Sequence, residues 1–228
     1  MKKIILILSV ITTLVSCQSE VEFNDPAFQA RINNTVWKAN IKAAKVVDGQ
    51  LTLEGTSRLY NLVLKTSSAT VGTYLLGTTN QANRAVLTPV SATSTLQYTT
   101  GINAAPAYSI AIVSGGSNYV TSGIVATSGG TGTGLKVNIE ASPTGAVTKA
   151  TINVPGTGYV PGDVVTITTG NNNARLLIQT VANSNGQVVI TENTGSTISG
   201  KFKFTAFDAA TGEVASCREG VFYNLPLQ

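Results

Sequence analysis

The sequence contains no histidine, and charged side chains make up only 11% of its 228 residues. Histidine is the commonest general base near neutral pH and the commonest metal ligand in proteins. Its absence removes the usual nucleophile–base pairs, and the two cysteines are too few for a Cys/His zinc site. The sequence therefore predicts neither a catalytic residue set nor a metal site, and we expect a protein that is not an enzyme.

Positive charge is also scarce. The formal net charge of +4 falls to +2 when Lys2 and Lys3 are removed with a signal peptide, and no basic cluster occurs elsewhere. So small a charge argues against a nucleic-acid-binding protein, and no nucleic-acid partner is expected. A hydrophobic content of 43% combined with so little charge favours a packed core over disorder.

The first seventeen residues have the pattern of a lipoprotein leader. Lys2 and Lys3 precede a mainly apolar stretch at 4–15, which as a helix of about 18 Å is too short to span a bilayer core of about 30 Å. Leu14-Val15-Ser16-Cys17 follows directly and resembles the bacterial lipobox. The resemblance implies that residues 1–16 are a cleaved signal peptide and that Cys17 becomes the lipidated first residue; secretion with an incidental cysteine is the alternative.

The lipid on Cys17 is the only anchor and the only attached group that we expect. Each buried CH₂ contributes about 0.8 kcal/mol, and two or more acyl chains hold a protein stably on a membrane. Residues 17–26 are polar and acidic and are interpreted as a lipidated tether. The predicted location is the bacterial cell envelope, at the outer membrane, with the periplasmic and surface faces both open. Because the thiol of Cys17 would carry the lipid, Cys217 has no disulfide partner within the chain. We expect Cys217 to be a small residue of the core.

Apolar and polar residues alternate along most of the remaining chain. Phe28, Ala30 and Ile32 share one face of a predicted strand, and residues 198–206 show the same period of two. Asn33-Asn34 and Asp48-Gly49 have the composition of tight hairpin turns. No segment shows a helical period. The prediction is an all-β fold with an antiparallel sandwich or barrel-like body.

The composition changes between residues 105 and 182. Of the 22 glycines, 13 lie between Gly101 and Gly170, while 105–182 carries only five charged side chains. Gly116-Ser117-Asn118-Tyr119-Val120 recurs 40 residues later as Gly156-Thr157-Gly158-Tyr159-Val160. These features predict a small inserted Gly-rich β domain of two repeats at 105–182, interrupting a discontinuous β body at 27–104 and 183–228.

Short motifs in the body and in the insert resemble those of known proteins. The body's motifs are Phe28-x-Ala30-x-Ile32-Asn33-x-x-x-Trp37-x-Ala39, Val71-Gly72-Thr73-Tyr74, Ile198-Ser199-Gly200-x-Phe202-x-Phe204-Thr205-Ala206 and Glu219-Gly220-Val221-Phe222. On these motifs the body resembles a family of small Bacteroidota lipoproteins known only as a domain of unknown function, which implies no activity. The repeated segment around Tyr119 and Tyr159 resembles Gly-x-Gly-Tyr repeats of phage tail and bacterial surface proteins, which implies a structural or adhesive role.

Three residues of the insert are candidates for ligand binding. Tyr119 and Tyr159 occupy equivalent turns, where they either present aromatic faces for sugar stacking or pack over their own glycine-rich turns. Asp163, with the asparagines at 171–173, either offers oxygen ligands to a bound group such as calcium or serves as a turn residue. The run Gly129–Gly134 resembles a phosphate loop only superficially, because an alternating strand follows it, and a hairpin loop is predicted.

The predicted function is that of a non-catalytic, lipid-anchored envelope protein whose insert binds a glycan or another surface protein. One alternative is a carbohydrate-active enzyme that uses carboxylates such as Asp163 or Glu140. A purely structural envelope protein is another.

Overall fold

The computed structural model describes residues 27–228, and every regular element in that range is a β-strand. The predicted all-β fold is confirmed. The leader and the tether, including Cys17, lie outside the described residues, so lipidation stays a prediction. Between residues 27 and 228 there is no helix long and apolar enough to cross a membrane.

Seventeen strands follow one another along the chain. The first eight are β1 (Ala27–Ile32), β2 (Thr35–Lys38), β3 (Ile41–Val47), β4 (Gln50–Thr56), β5 (Tyr60–Thr66), β6 (Gly72–Leu76), β7 (Arg84–Pro89) and β8 (Tyr98–Thr99). The next six are β9 (Ala107–Ser114), β10 (Ser122–Ser128), β11 (Thr133–Ala141), β12 (Val147–Thr157), β13 (Val164–Ile167) and β14 (Arg175–Val181). The last three are β15 (Asn185–Asn193), β16 (Thr197–Asp208) and β17 (Val214–Pro226).

The strands form two antiparallel sheets. An 11-stranded large sheet has the order β2-β1-β17-β16-β8-β7-β5-β4-β3, with β15 paired to β16 and β6 paired to β15. A 6-stranded small sheet has the order β12-β11-β10-β13-β14-β9. All strands of 27–104 and 183–228 therefore lie in the large sheet, and all strands of 105–182 lie in the small one.

Local turn chemistry explains the hairpins at the start of the chain. Asn33 and Asn34 have φ values of 47° and 66°, and Asp48 and Gly49 have values of 50° and 77°. Positive φ at both central residues is the type I′ geometry, whose twist matches that of the flanking strands. Asparagine, aspartate and glycine tolerate this region better than other residues. Both predicted turns are confirmed.

The large sheet curls until its flanks meet. Ala44 in β3 forms a bridge with Leu227, and the Gln228 N–H donates to the Ala44 carbonyl at 2.9 Å. The small sheet also brings its end strands together, since the Val147 N–H at the start of β12 donates to the Gly115 carbonyl just after β9 at 2.8 Å. Of the two predicted forms, the barrel-like one is therefore the better description.

The core of the large sheet joins the two ends of the chain. Phe28 in β1 packs edge-on against Trp37, with ring centroids 5.3 Å apart, and against Phe202 in β16, at 5.5 Å. Trp37 is only 1% exposed, and its indole N–H donates to the Tyr60 carbonyl at 3.1 Å. The N-terminal and C-terminal segments thus share one hydrophobic core.

The small sheet has its own core and an exchanged strand order. Its central pair is β10–β13, and β9 lies beside β14 while β12 lies beside β11. The strand order is symmetric. If β9 is exchanged with β12, β10 with β13 and β11 with β14, the same order results when the sheet is read from its other edge. Fifteen buried residues form this core, among them Val125, Leu135, Val137, Ile167 and Leu176.

Candidate functional site: a cleft between the two sheets

Tyr119 is a structural residue of the small sheet. Its side chain is only 3% exposed. Its hydroxyl oxygen accepts the N–H groups of Asn173 at 3.0 Å and Ala174 at 2.9 Å, and the hydroxyl donates to the Ile167 carbonyl at 3.3 Å. A Cβ at Gly116 would lie 2.7 Å from the ring, so glycine makes room for it in its own turn. A buried ring cannot stack on a sugar, and the prediction that Tyr119 binds a ligand is wrong.

Tyr159 has the corresponding position in the other half of the sheet. It is 1% exposed, and its hydroxyl oxygen accepts the Leu135 N–H at 3.4 Å. A Cβ at Gly156 in its own turn would lie 2.9 Å from its ring, and a Cβ at Gly132 in the β10–β11 loop would lie 2.5 Å from it. The ligand-binding prediction is wrong here for the same reason, and the alternative, a tyrosine packed against glycine-rich turns, is confirmed for both residues.

Asp163 connects two loops. One carboxylate oxygen, Oδ2, accepts the Val160 N–H at 3.0 Å, the Thr131 N–H at 3.1 Å and the Thr131 hydroxyl at 2.7 Å. Burial by itself would raise the pKa of Asp163, but the hydrogen bonds from Val160 and Thr131 outweigh it and lower the pKa. Thr131 lies in the β10–β11 hairpin loop, so Asp163 has the structural turn role given above as the alternative to ligand binding.

The asparagines at 171–173 do not join Asp163. Asn173 Oδ1 accepts the Ser117 N–H at 2.9 Å, and Asn171 Oδ1 accepts a hydrogen bond from the Asn118 amide at 3.1 Å. These side chains hold the turn that precedes Tyr119. Within residues 27–228 no group of three or more His, Cys, Asp or Glu side chains is placed to hold a metal ion.

A cleft of about 340 Å³ opens where the small sheet meets the outer face of the large one, and we call it the inter-sheet cleft. On one side β9 contributes Tyr108, whose side chain is 61% exposed. Its neighbour Ser109 is held by a 2.6 Å hydrogen bond to the Thr180 hydroxyl in β14. Tyr108 therefore stands on a fixed strand with its ring open to solvent.

The facing wall is the outer surface of β6, β15, β16 and β17. Gln187 lies in register with both Leu75 and Lys203, and Thr205 lies opposite Ser216. Successive side chains of a strand point to opposite faces. Because Val188, Phe204 and Cys217 face the core, their neighbours face the cleft. Arg218 completes the rim.

The residues that line the inter-sheet cleft are mainly polar. It contains hydroxyl, amide and cationic side chains together with one open aromatic ring, and none of its described residues is Asp, Glu or His. Cys217 borders the cleft but is 1% exposed, and burial raises the pKa of its thiol to about 12. A thiol with that pKa stays protonated near neutral pH and is a poor nucleophile. The expectation that Cys217 is a core residue is confirmed.

Sequence reasoning missed the residues of this cleft. Gln187 and Lys203 lie on polar strand faces that look like any solvated surface, and Tyr108 alternates with Ile110 and Ile112 like a residue of an apolar face. The available signal was an exposed tyrosine in a strand just after the start of the predicted insert. Nothing in the local pattern shows that β9 faces β15 and β16, because that proximity depends on how the two sheets meet.

A family described as a domain of unknown function (DUF6252) matches the chain twice, over residues 24–152 and 117–226. The first match alone covers more than half of the chain. Both matches extend into 105–182, so they do not mark the limits of the predicted insert. Comparison with curated proteins and with solved structures gave no match. The predicted membership of a family of unknown function is confirmed, and the chain belongs to the DUF6252 family.

Proposed function

We propose that this chain is a lipid-anchored protein of the bacterial cell envelope, and that it binds a saccharide without catalysis in the inter-sheet cleft. The anchor is supported by the leader and the Leu14-Val15-Ser16-Cys17 motif. A Bacteroidota origin and an outer-membrane location rest on the resemblance of the body to lipoproteins of that group. The observation that carries the binding proposal is the exposed ring of Tyr108, which lines the same cleft as the Gln187 amide.

A saccharide fits the chemistry of this cleft. Sugars present an apolar C–H face, which packs on an aromatic ring, and a rim of hydroxyl groups, which needs amide and hydroxyl partners. Tyr108 supplies the ring, and Gln187, Thr205 and Ser216 supply the partners. A volume of about 340 Å³ lies at the lower end of the range for small-molecule sites, about 300–1,000 Å³. This favours a short saccharide segment over a protein partner, which needs a wider surface.

The two carboxylates considered for catalysis, Glu140 and Asp163, each bind different neighbouring residues. Glu140 accepts a hydrogen bond from the Lys149 ammonium group at 2.6 Å on the surface of the small sheet. Asp163 accepts hydrogen bonds from Val160 and Thr131. Glycoside hydrolysis normally requires two carboxyl groups on either side of one bond. We therefore propose binding rather than turnover.

The small sheet supports the proposal as a rigid platform. We infer that it is a duplicated three-strand unit, because its strand order is symmetric under exchange of β9–β11 with β12–β14. The hydroxyl groups of Tyr119 and Tyr159 each reach backbone groups of the opposite half. Two units locked together in this way hold strand β9, which carries Tyr108, in a fixed position, as a preorganised site requires.

The binding test uses the full-length protein in detergent on a saccharide panel. Tyr108→Ala is expected to weaken binding about tenfold, because loss of an aromatic contact of about 1.4 kcal/mol corresponds to that factor. Val113→Ala is the matched control, since Val113 lies on the same strand, is 59% exposed and does not line the cleft. Equal binding by both variants would exclude the cleft as the site.

The anchor is tested independently. Cys17→Ala is expected to move the protein from the membrane fraction to the soluble fraction and to abolish labelling by palmitate. If the variant stayed labelled and membrane-bound, the lipid-anchor proposal would be wrong.

A further inference from the structure

Two cations on the rim of the inter-sheet cleft have no acidic partner. Lys203 in β16 and Arg218 in β17 are both exposed. The ion pairs among residues 27–228 are Arg31–Glu219 at 3.2 Å and Lys149–Glu140 at 2.6 Å. No carboxylate of the described chain therefore lies within ion-pair distance of Lys203 or Arg218. The cleft carries uncompensated positive charge.

A β-bulge creates this imbalance. The β16–β17 register shifts between Phe202, which pairs with Gly220, and Phe204, which pairs with Cys217. Two residues of β17, Arg218 and Glu219, consequently stand opposite Lys203, and Glu219 has a positive φ of 52°. A bulge re-aims the side chains of the longer strand. Here Glu219 turns to Arg31 on β1, while Arg218 stays at the cleft beside Lys203.

The neighbouring strand adds a third cation. Arg31 in β1 lies directly opposite Arg218 in the antiparallel register. Like charges in directly opposed positions destabilise a sheet. The single carboxylate of Glu219 neutralises Arg31 and leaves Arg218 and Lys203 without a counterion from the described chain. An arrangement that costs stability in the free protein is favourable once an anion occupies the cleft.

We infer that the ligand of the inter-sheet cleft is an acidic saccharide, one that bears a carboxylate, sulfate or phosphate group. This inference rests on the proposed saccharide function of the same cleft. Arg218 offers the planar fork of donors that fits an oxyanion, and Lys203 adds a compact ammonium group. Tyr108 packs on the sugar ring, and Gln187 binds its hydroxyl groups.

The experiment uses matched pairs of saccharides that differ only in charge. The probes are oligogalacturonate and its methyl ester, a sulfated oligosaccharide and its desulfated form, and a phosphorylated disaccharide and its dephosphorylated form. Full-length protein is expected to bind the acidic member of at least one pair about tenfold more tightly than the neutral one. The difference should shrink with added salt, because exposed charges are screened.

The double variant Lys203→Gln/Arg218→Gln is expected to lose this preference and to bind the neutral member as the parent does. The matched control is Lys38→Gln/Lys201→Gln, which removes the same charge from the same outer face without touching the cleft. Both variants replace exposed side chains, and unchanged urea midpoints will show that they are folded.

Each of the other possible results contradicts one specific part of the proposal. Tyr108-dependent binding with no preference for charge overturns the acidic ligand and leaves the saccharide function standing. Absence of binding to every saccharide overturns the proposed function itself. Binding to phosphatidylglycerol vesicles but not to phosphatidylcholine vesicles, weakened equally by both double variants, identifies the face as a membrane-docking surface and overturns the inference.

Discussion

The hydroxyl oxygen of Tyr119 accepts the backbone N–H of Ala174 at 2.9 Å, across 55 residues of sequence. Tyr159 forms the corresponding contact with the Leu135 N–H, across 24 residues. In both cases the phenol reaches the start of the strand that follows a loop in the opposite half of the small sheet. The Gly-x-x-Tyr pattern therefore marks where the two halves are joined, and its glycines are the residues that leave room for the rings.

Tyr119→Phe should destabilise the small sheet. The change keeps the buried ring but leaves the N–H groups of Asn173 and Ala174 without their acceptor, and Ala174 is fully buried. Leaving a buried donor unsatisfied costs about 1–3 kcal/mol in the free energy of unfolding. Urea denaturation, followed by the tryptophan signal of the large sheet and by circular dichroism, will measure the loss.

Tyr108→Phe is the matched control for this prediction, because it removes the same oxygen from an exposed ring. Its effect should stay within about 0.5 kcal/mol. Equal effects of the two substitutions would show that the Tyr119 hydroxyl does not hold the β13–β14 loop.

Gly55→Ala should destabilise the large sheet. A Cβ at Gly55 in β4 would lie 2.7 Å from Phe28 and 2.7 Å from Trp37, two rings that are themselves fixed by their neighbours. Overpacking of this kind costs about 1–3 kcal/mol. The expected result is a lower urea midpoint and an altered tryptophan emission spectrum.

Gly123→Ala in β10 provides the comparison, since the nearest atom to its Cβ would be 3.5 Å away and its φ is not in the left-handed region. This variant should be neutral or slightly more stable, because alanine restricts the unfolded chain. If Gly55→Ala were tolerated as well as Gly123→Ala, the conclusion that β4 packs closely against the Phe28 and Trp37 rings would be wrong.

Some of this architecture could be predicted from the sequence because its causes are local. The Asn33-Asn34 and Asp48-Gly49 turns follow from the φ preferences of those residues, and the burial of Trp37 follows from alternation. The orientations of Tyr119 and Tyr159 could not be decided in that way. Whether an aromatic ring in a glycine-rich turn faces solvent or the core depends on which loop lies across from it, and those loops belong to the opposite half of the sheet.

The inter-sheet cleft could not be predicted from the sequence for a similar reason. Its walls come from β9 and from β15–β17, and its charge depends on a one-residue shift in the β16–β17 register. Lys203 and Arg218 are unremarkable exposed cations in their own strands. Only the shift, which directs Glu219 toward Arg31, leaves them without a carboxylate.

Asp208 at the end of β16 is expected to make the stability of the large sheet depend on pH. Its Oδ2 accepts the Gln97 N–H at 2.7 Å, and its Oδ1 accepts the N–H and the hydroxyl of Thr211, both at 2.9 Å. Hydrogen bonds from Gln97 and Thr211 hold the pKa of Asp208 below its usual value, although burial opposes them. A carboxyl group with a lowered folded-state pKa contributes stability above its unfolded-state pKa of about 3.9 and loses it as the pH falls through the folded-state value.

Asp208→Asn should therefore lower the free energy of unfolding at pH 7. The difference from the parent protein should shrink as the pH falls below about 4, where the carboxyl of the unfolded parent chain takes up protons before that of the folded chain. Urea titrations at a series of pH values from 7 to 3 will measure that difference. Asp48→Asn, at an exposed turn whose positive φ asparagine also adopts, is the control and should stay within about 0.5 kcal/mol of the parent at pH 7. A deficit for Asp208→Asn that stayed constant across the series would mean that the lost stability comes from packing or geometry and not from the charged form of Asp208.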